Sequence, residues 1–268
     1  MADHATPGQV IRVALKRIAQ VELVGLHAIS EARGREFMPH PFAHTKSSPF
    51  SGIDEYTRYT HSLLDRVDHG DLGELGKWFS SYLAADLRVE CSVSTRGEPQ
   101  GRIVAHRAGD SGYLAIQQPD EDIVEIFALS PFELGAAIAG SINFSHPGKH
   151  ARIAIPELAR PASHQESESV SVASTRVQLT HAPGGTVVSR SQIAMFGRAQ
   201  SRRQPAREWG FDRQKKAIVW VRINDDGDYI YAPGFAYLTP LTARDLSQRV
   251  DRLIAEDIAA IVGSADAD

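Results

Sequence analysis

The feature that most narrows what this chain can fold into is a change of period at Asp86. Before it, apolar residues recur at helical spacing; after it they alternate in four short runs, 87–94, 102–107, 113–117 and 123–129. Turn residues separate the runs: Arg96-Gly97-Glu98-Pro99-Gln100-Gly101, then Gly109-Asp110-Ser111-Gly112, then Pro119-Asp120. Connections this short cannot cross over to a parallel neighbour, so the four strands must form an antiparallel meander.

Ahead of the meander, residues 9–18 read as a strand. A helix follows through Val21, Val24, Ala28 and Ala32, with Gly34 as its C-terminal cap. Met38-Pro39-His40-Pro41-Phe42 cannot continue it, because proline lacks an N–H and restricts its predecessor. Asp54 opens a second helix through Tyr59, Leu63, Leu64 and Val67; a third carries Leu75, Trp78, Phe79 and Leu83. After the meander, Ser130-Pro131-Phe132-Glu133 predicts a capping box opening a helix over 131–140.

The second half repeats the plan. Strands at 217–223, 229–232 and 235–238 lead into Thr239-Pro240, read as a second cap and proline. The helix that follows has one apolar face of Leu246, Val250, Leu253, Ile254, Ile258 and Ile261. The same order of strands and Ser/Thr-Pro helix thus occurs twice, an approximate internal duplication. The expected division is an N-terminal half over 1–160, a flexible connection over 161–190 with a weak strand signal at 170–179, and a C-terminal half over 191–268. Together they are expected to make one compact domain.

Hydrophobic residues at 42% and charged residues at 23% of 268 are ordinary for a globular protein, so disorder is not the default. A net charge of -4 disfavours wholesale binding to nucleic acid or an anionic membrane. Cys91 is the single cysteine, which rules out an intramolecular disulfide and suits a reducing compartment. The first residues have neither the basic start nor the apolar run of a signal peptide, and no apolar stretch approaches the ~20 residues of a membrane helix. A cytoplasmic location is expected.

Candidate chemistry is sparse. Ser111, within Gly109-Asp110-Ser111-Gly112, has the look of a protease nucleophile loop with His106 as base, but a hairpin turn explains every residue of it. Asn224-Asp225-Asp226-Gly227-Asp228 resembles part of a calcium loop, yet Tyr229-Ile230-Tyr231 follows where further ligands are needed. His40 and His44, and His146 and His150, are four apart, with Pro41 and Pro147 breaking the helix that this metal-ligand spacing requires. Arg198, Arg202, Arg203, Arg207, Arg213, Lys215 and Lys216, with Trp209 and Phe211, form a basic strip. It could grip nucleic acid, or serve as a solvated sheet edge that resists strand addition. No catalytic set, metal site or cofactor loop is predicted.

The order of several motifs resembles a known family. Pro39-His40-Pro41-Phe42 follows the first helix, and a Leu/Trp-rich helix leads into the meander. Then come His146-Pro147-Gly148-Lys149-His150 through Ile155-Pro156-Glu157-Leu158, and Gly197-Arg198 through an Arg-rich strand to Ile218-Val219-Trp220. Asp226-Gly227-Asp228-Tyr229, Thr239-Pro240 and the final helix complete the series. Over nearly the whole chain this is similar to the EspG family of type VII (ESX) secretion chaperones, with Asp228 standing where the family has an arginine. The resemblance implies an α/β (α+β) fold, an antiparallel sheet flanked by two helical bundles about a pseudo-two-fold axis. It implies a non-enzymatic, cofactor-free role binding the PPE subunit of a PE–PPE heterodimer, and leaves open a homodimer of the free protein. Family complexes use the loop between the second and third strands and the C-terminal bundle. Here these correspond to Arg96, Gly97, Glu98 and Gln100, and to Arg244, Gln248 and Leu253. Nucleic-acid binding through the 198–216 strip is the alternative.

Overall fold

Alternation and turn chemistry produce one mixed sheet of eleven strands in the computed structural model, which describes residues 13–158, 185–203, 210–212, 215–234 and 236–265. The first strand is β1 (Lys16–Glu22), followed by helices α1 (Leu23–Ala32), α2 (Ile53–His69) and α3 (Gly73–Leu83). The meander is β2 (Leu87–Thr95), β3 (Gly101–Ala108), β4 (Ser111–Gln117) and β5 (Ile123–Leu129), leading into α4 (Leu134–Gly140). Two short strands, β6 (Ile153–Ala154) and β7 (Thr186–Val187), precede β8 (Ile193–Arg203), β9 (Ile218–Ile223), β10 (Gly227–Tyr231) and β11 (Leu238–Pro240). The helix α5 (Ala243–Ala265) follows. Strand order is β1-β5-β4-β3-β2-β8-β9-β10-β11-β6-β7, antiparallel throughout except for the parallel β6–β7 pair. The two meanders meet where β2 pairs with β8, from Leu87 opposite Arg203 to Thr95 opposite Met195.

Each face of the sheet has its own cover. Residues Leu87, Val89 and Cys91 of β2, with Ala199 and Trp220, point toward α4 and α5, which supply Leu134, Ile138, Leu246 and Val250. The opposite face at β3–β5 (Val104, Ala115, Val124, Ile126) packs on α1, α2 and α3 through Leu26, Ile29, Leu63, Leu75 and Trp78. On that same side of the second meander, Val221, Ile223, Tyr229 and Leu238 cluster with Ile153, Ile155 and Val188. Gly197 permits one close crossing: a Cβ there would fall 2.1 Å from the fully buried Trp220 ring on the neighbouring strand.

Several boundaries move from where local signals put them. The first strand is 16–22 rather than 9–18, because the ladder to β5 pairs Val21 with Val124 and carries the strand into what spacing alone reads as helix. Residues 9–12 lie outside the described residues, as do 161–184 of the connection, including the strand signal at 170–179. Beyond them Thr186–Val187 forms β7. Ser130 does not cap α4. Its carbonyl accepts from the Glu133 N–H and its hydroxyl from Phe132, closing a turn, so the helix starts at Leu134 and leaves Phe132 86% exposed. Thr239 and Pro240 belong to β11. The cap of α5 is Thr242, whose Oγ1 accepts from the Asp245 N–H while Asp245 accepts from the Thr242 N–H at 3.0 Å.

Candidate partner-binding end of the sheet

Strand direction decides which loops share a surface. β2 ends at Thr95, opposite Met195 of β8. Met195 lies opposite Arg222 of β9, Arg222 opposite Asp228 of β10, and the Asp228 carbonyl accepts from Leu241, just ahead of α5. The loop after β2 and the start of α5 therefore leave the sheet at the same end, four strand spacings or about 19 Å apart.

The 96–100 loop is anchored at its base and open at its tip. The Arg96 N–H donates to the Ala194 carbonyl at 2.8 Å and its guanidinium to the Ser191 carbonyl at 2.7 Å. The Glu98 N–H closes a turn onto Thr95. Gly97 holds φ at +76°, where a side chain would be strained. Arg96, Gly97 and Glu98 are exposed and Gln100 is half-buried. On α5, Arg244 and Gln248 are exposed, whereas Leu253 is half-buried against the core beneath the helix. The structure thus brings the loop and the first turns of α5 to one end, and sets Leu253 on the inward face.

A buried ionic pair frames this end. Asp228, fully buried, accepts from Arg222 at 2.7 and 3.1 Å and from the Ser145 N–H, and Arg222 also donates to the Asn143 carbonyl. Asp226 accepts from the Lys149 N–H and the Tyr229 hydroxyl, contacts that hold its carboxyl below the usual range against the opposing effect of burial. Protein donors thus occupy two of the three carboxylates of the would-be calcium loop, those of Asp226 and Asp228.

The other candidates separate. His106 is fully buried with Nε2 3.1 Å from Ser81 Oγ. Burial, and less so Arg88, pushes its pKa down to about 3, and no hydrogen bond joins it to the exposed Ser111. Burial, then Arg198, Arg202, Arg88 and Arg102, lowers His40 to about 4, while His44 faces Asp122 at 3.8 Å. His150 lies 3.9 Å from Asp226, and among the described residues no group of three or more ligand-type side chains could hold a metal. Cys91 is buried and its thiol is pushed up to about 12 by desolvation. No described helix is long and apolar enough to cross a membrane.

Several cations of the basic strip have partners within the molecule, while Arg203 is exposed. Arg198 donates to Ser92 Oγ and lies over the Phe211 ring, Arg202 is buried 3.5 Å from Glu90, Lys215 faces Asp257, and Lys216 pairs with Glu256 at 2.8 Å. Arg207, Trp209 and Arg213 lie outside the described residues. Glu90, between Arg88 at 3.0 Å and Arg202, has its pKa raised by burial, which outweighs both guanidinium groups. Sequence reading missed this cluster. Its signal was the polar alternation Arg88, Glu90, Ser92 on β2 facing Arg198, Gln200, Arg202 on β8, which reads as a solvated face until the cover above it is known.

No family model matches the chain, and no curated protein matches it. Among solved structures, the chain is similar to a chain in the complex of the Mycobacterium tuberculosis type VII secretion system chaperone EspG5 with the PE25-PPE41 dimer. The similarity covers 88% of this chain and 95% of that one at 12% identity, with a TM-score of 0.47.

Proposed function

We propose that this protein is a non-enzymatic cytoplasmic chaperone of a type VII secretion system that holds the PPE subunit of a PE–PPE heterodimer in soluble form before export. The observation that carries the reading is the common end shared by the 96–100 loop and the first turns of α5, which exposes Arg96, Glu98, Arg244 and Gln248 across about 19 Å. Two packed helices, each ~10 Å across with side chains, fit that width, so the end suits the tip of a helical pair. The motif order of the sequence, which resembles EspG, supports the same reading, and the pseudo-two-fold duplication with flanking bundles belongs to it.

The chaperone works by shielding. The client tip lies across the outer side of the first turns of α5, where Arg244 and Gln248 are exposed, while Arg96, Glu98 and Gln100 at the rim select by charge and hydrogen bonding. An interface of roughly 1,600 Å² is enough for stable yet reversible capture. The basic strip supports a nucleic-acid reading less well, because several of its cations already have intramolecular partners.

The test is gel filtration of the purified chain with a recombinant PE–PPE pair, at low and at 0.5 M salt (roughly, a concentration that shortens the Debye length several-fold). A salt-stable complex is expected. It should be lost when the exposed Glu98 and Arg244 are charge-reversed together, with thermal melting unchanged. Failure to form the complex with any pair offered, alongside salt-sensitive RNA binding, would move the assignment to the basic strip.

A further inference from the structure

A cavity of about 610 Å³ opens beside α1, on the other meander from α5. Stretches far apart in sequence wall it: the junction of β1 and α1 at Glu22 to Val24, the start of β5 at Glu121 to Ile123, and the loop ahead of α2 at His44 to Pro49. Glu31 of α1 and Tyr56 of α2 also line it. The volume falls within the roughly 300–1,000 Å³ of small-ligand sites.

The walls are tied to one another. The Leu23 N–H donates to the Asp122 carbonyl at 2.7 Å, and the Asp122 carboxylate accepts from the Thr45 N–H and hydroxyl and from the Lys46 N–H. Glu31 accepts from the Tyr56 hydroxyl at 2.7 Å, which joins α1 to α2. The cavity is therefore shaped before anything enters it, which lowers the cost of binding. Its lining sets the carboxylates of Glu22, Glu31, Glu121 and Asp122 against one ammonium, Lys46, so the charge it favours is positive. These acids do not converge on a point, since among the described residues no group of three or more ligand-type side chains could hold a metal ion. Carboxylates spread around a wall suit a cation whose charge is also spread, and a planar guanidinium has donors enough to meet several of them at once. Leu23, Val24, Ile123 and the Tyr56 ring supply apolar surface for a stem behind that head.

We propose that this cavity is a binding site for a guanidinium group on an apolar stem, carried by a small free molecule or by an arginine of a partner. The head lies among the carboxylates, and the stem rests against Leu23, Val24 and Ile123. The site is argued from its own lining and does not rest on the chaperone reading.

Calorimetric titration of the full-length chain with n-butylguanidinium tests it, with n-butylurea as the same shape without the charge. The peptide acetyl-Gly-Ser-Arg-Ser-Gly-amide and its counterpart with citrulline in place of arginine repeat the comparison on a polypeptide. In at least one pair the charged member is expected to bind roughly tenfold more tightly than the neutral one, and to weaken as salt rises. Butylguanidinium binding at least as tightly as the arginine peptide upholds the site for a small free cation; tighter binding of the peptide upholds it for a partner's arginine. The exposed Glu22→Gln and Glu121→Gln should each weaken binding severalfold. Asp110→Asn should leave it unchanged, because that exposed carboxylate lies in the turn beyond the far end of the β4–β5 ladder. Melting curves check that each variant folds. The absence of a charge preference in both pairs, full affinity in both Gln variants, or an equal loss in Asp110→Asn overturns the site.

Discussion

At the residue scale, the tightest constraint is Gly197 beneath Trp220. The ring is fully buried and cannot give way, so Gly197→Ala must displace indole or strand. A loss of about 1–3 kcal/mol is expected, read as a lower denaturation midpoint with unchanged slope. His106 links stability to pH. Its folded pKa of about 3 lies below the ordinary 6.5, so between these values the unfolded chain takes a proton that the folded one refuses. Stability from this group is complete above pH 6.5 and falls as pH drops, by about 1.4 kcal/mol per unit. His40, lowered to about 4, adds a slope of the same sign, so urea titrations at pH 7, 6 and 5 should show a steeper fall than one group gives, and His106→Gln should roughly halve it. None of this was legible from sequence: His106 reads as an alternating strand position, and only packing beneath α3 strips it of water.

At the element scale, the sequence was most readable where a local rule had no tertiary rival. The meander strands 87–94, 102–107, 113–117 and 123–129 match β2 to β5 within a residue or two, because alternation and turn residues there agree. The two helix starts were misplaced for a common reason. Ser130-Pro131 and Thr239-Pro240 have the composition of caps, but a turn claims the first pair and the β10–β11 ladder the second. The correction is measurable. Thr242→Ala should cost about 1 kcal/mol through the lost α5 cap, whereas Ser130→Ala, removing no helix cap, should shift the thermal midpoint much less. The candidate loop around Arg96 was legible because its turn is local. The cavity beside α1 was not, since the segments bearing His27, His44 and Asp122 are brought together only by the fold.

For the whole molecule, Cys91 is a built-in reporter. It sits on β2, in the middle of the sheet, buried and with its thiol held protonated by desolvation. A thiol reagent should therefore label it in step with global unfolding across a urea series; labelling in water at the rate of a free thiol would mean that the sheet opens beside β2 without unfolding. That same strand has a consequence in time. Its partner β8 is distant in sequence, with 106 positions between Ser92 and the Arg198 that bonds to it. At ~5–20 residues per second, a ribosome needs roughly 5–20 s to deliver that partner after β2 emerges. Until then the first meander carries a raw edge at β2 beside half-assembled charges, Arg88 and Glu90, whose burial is completed only when Arg202 arrives. The nascent chain is therefore most exposed to mispairing in the interval before its own second half is made.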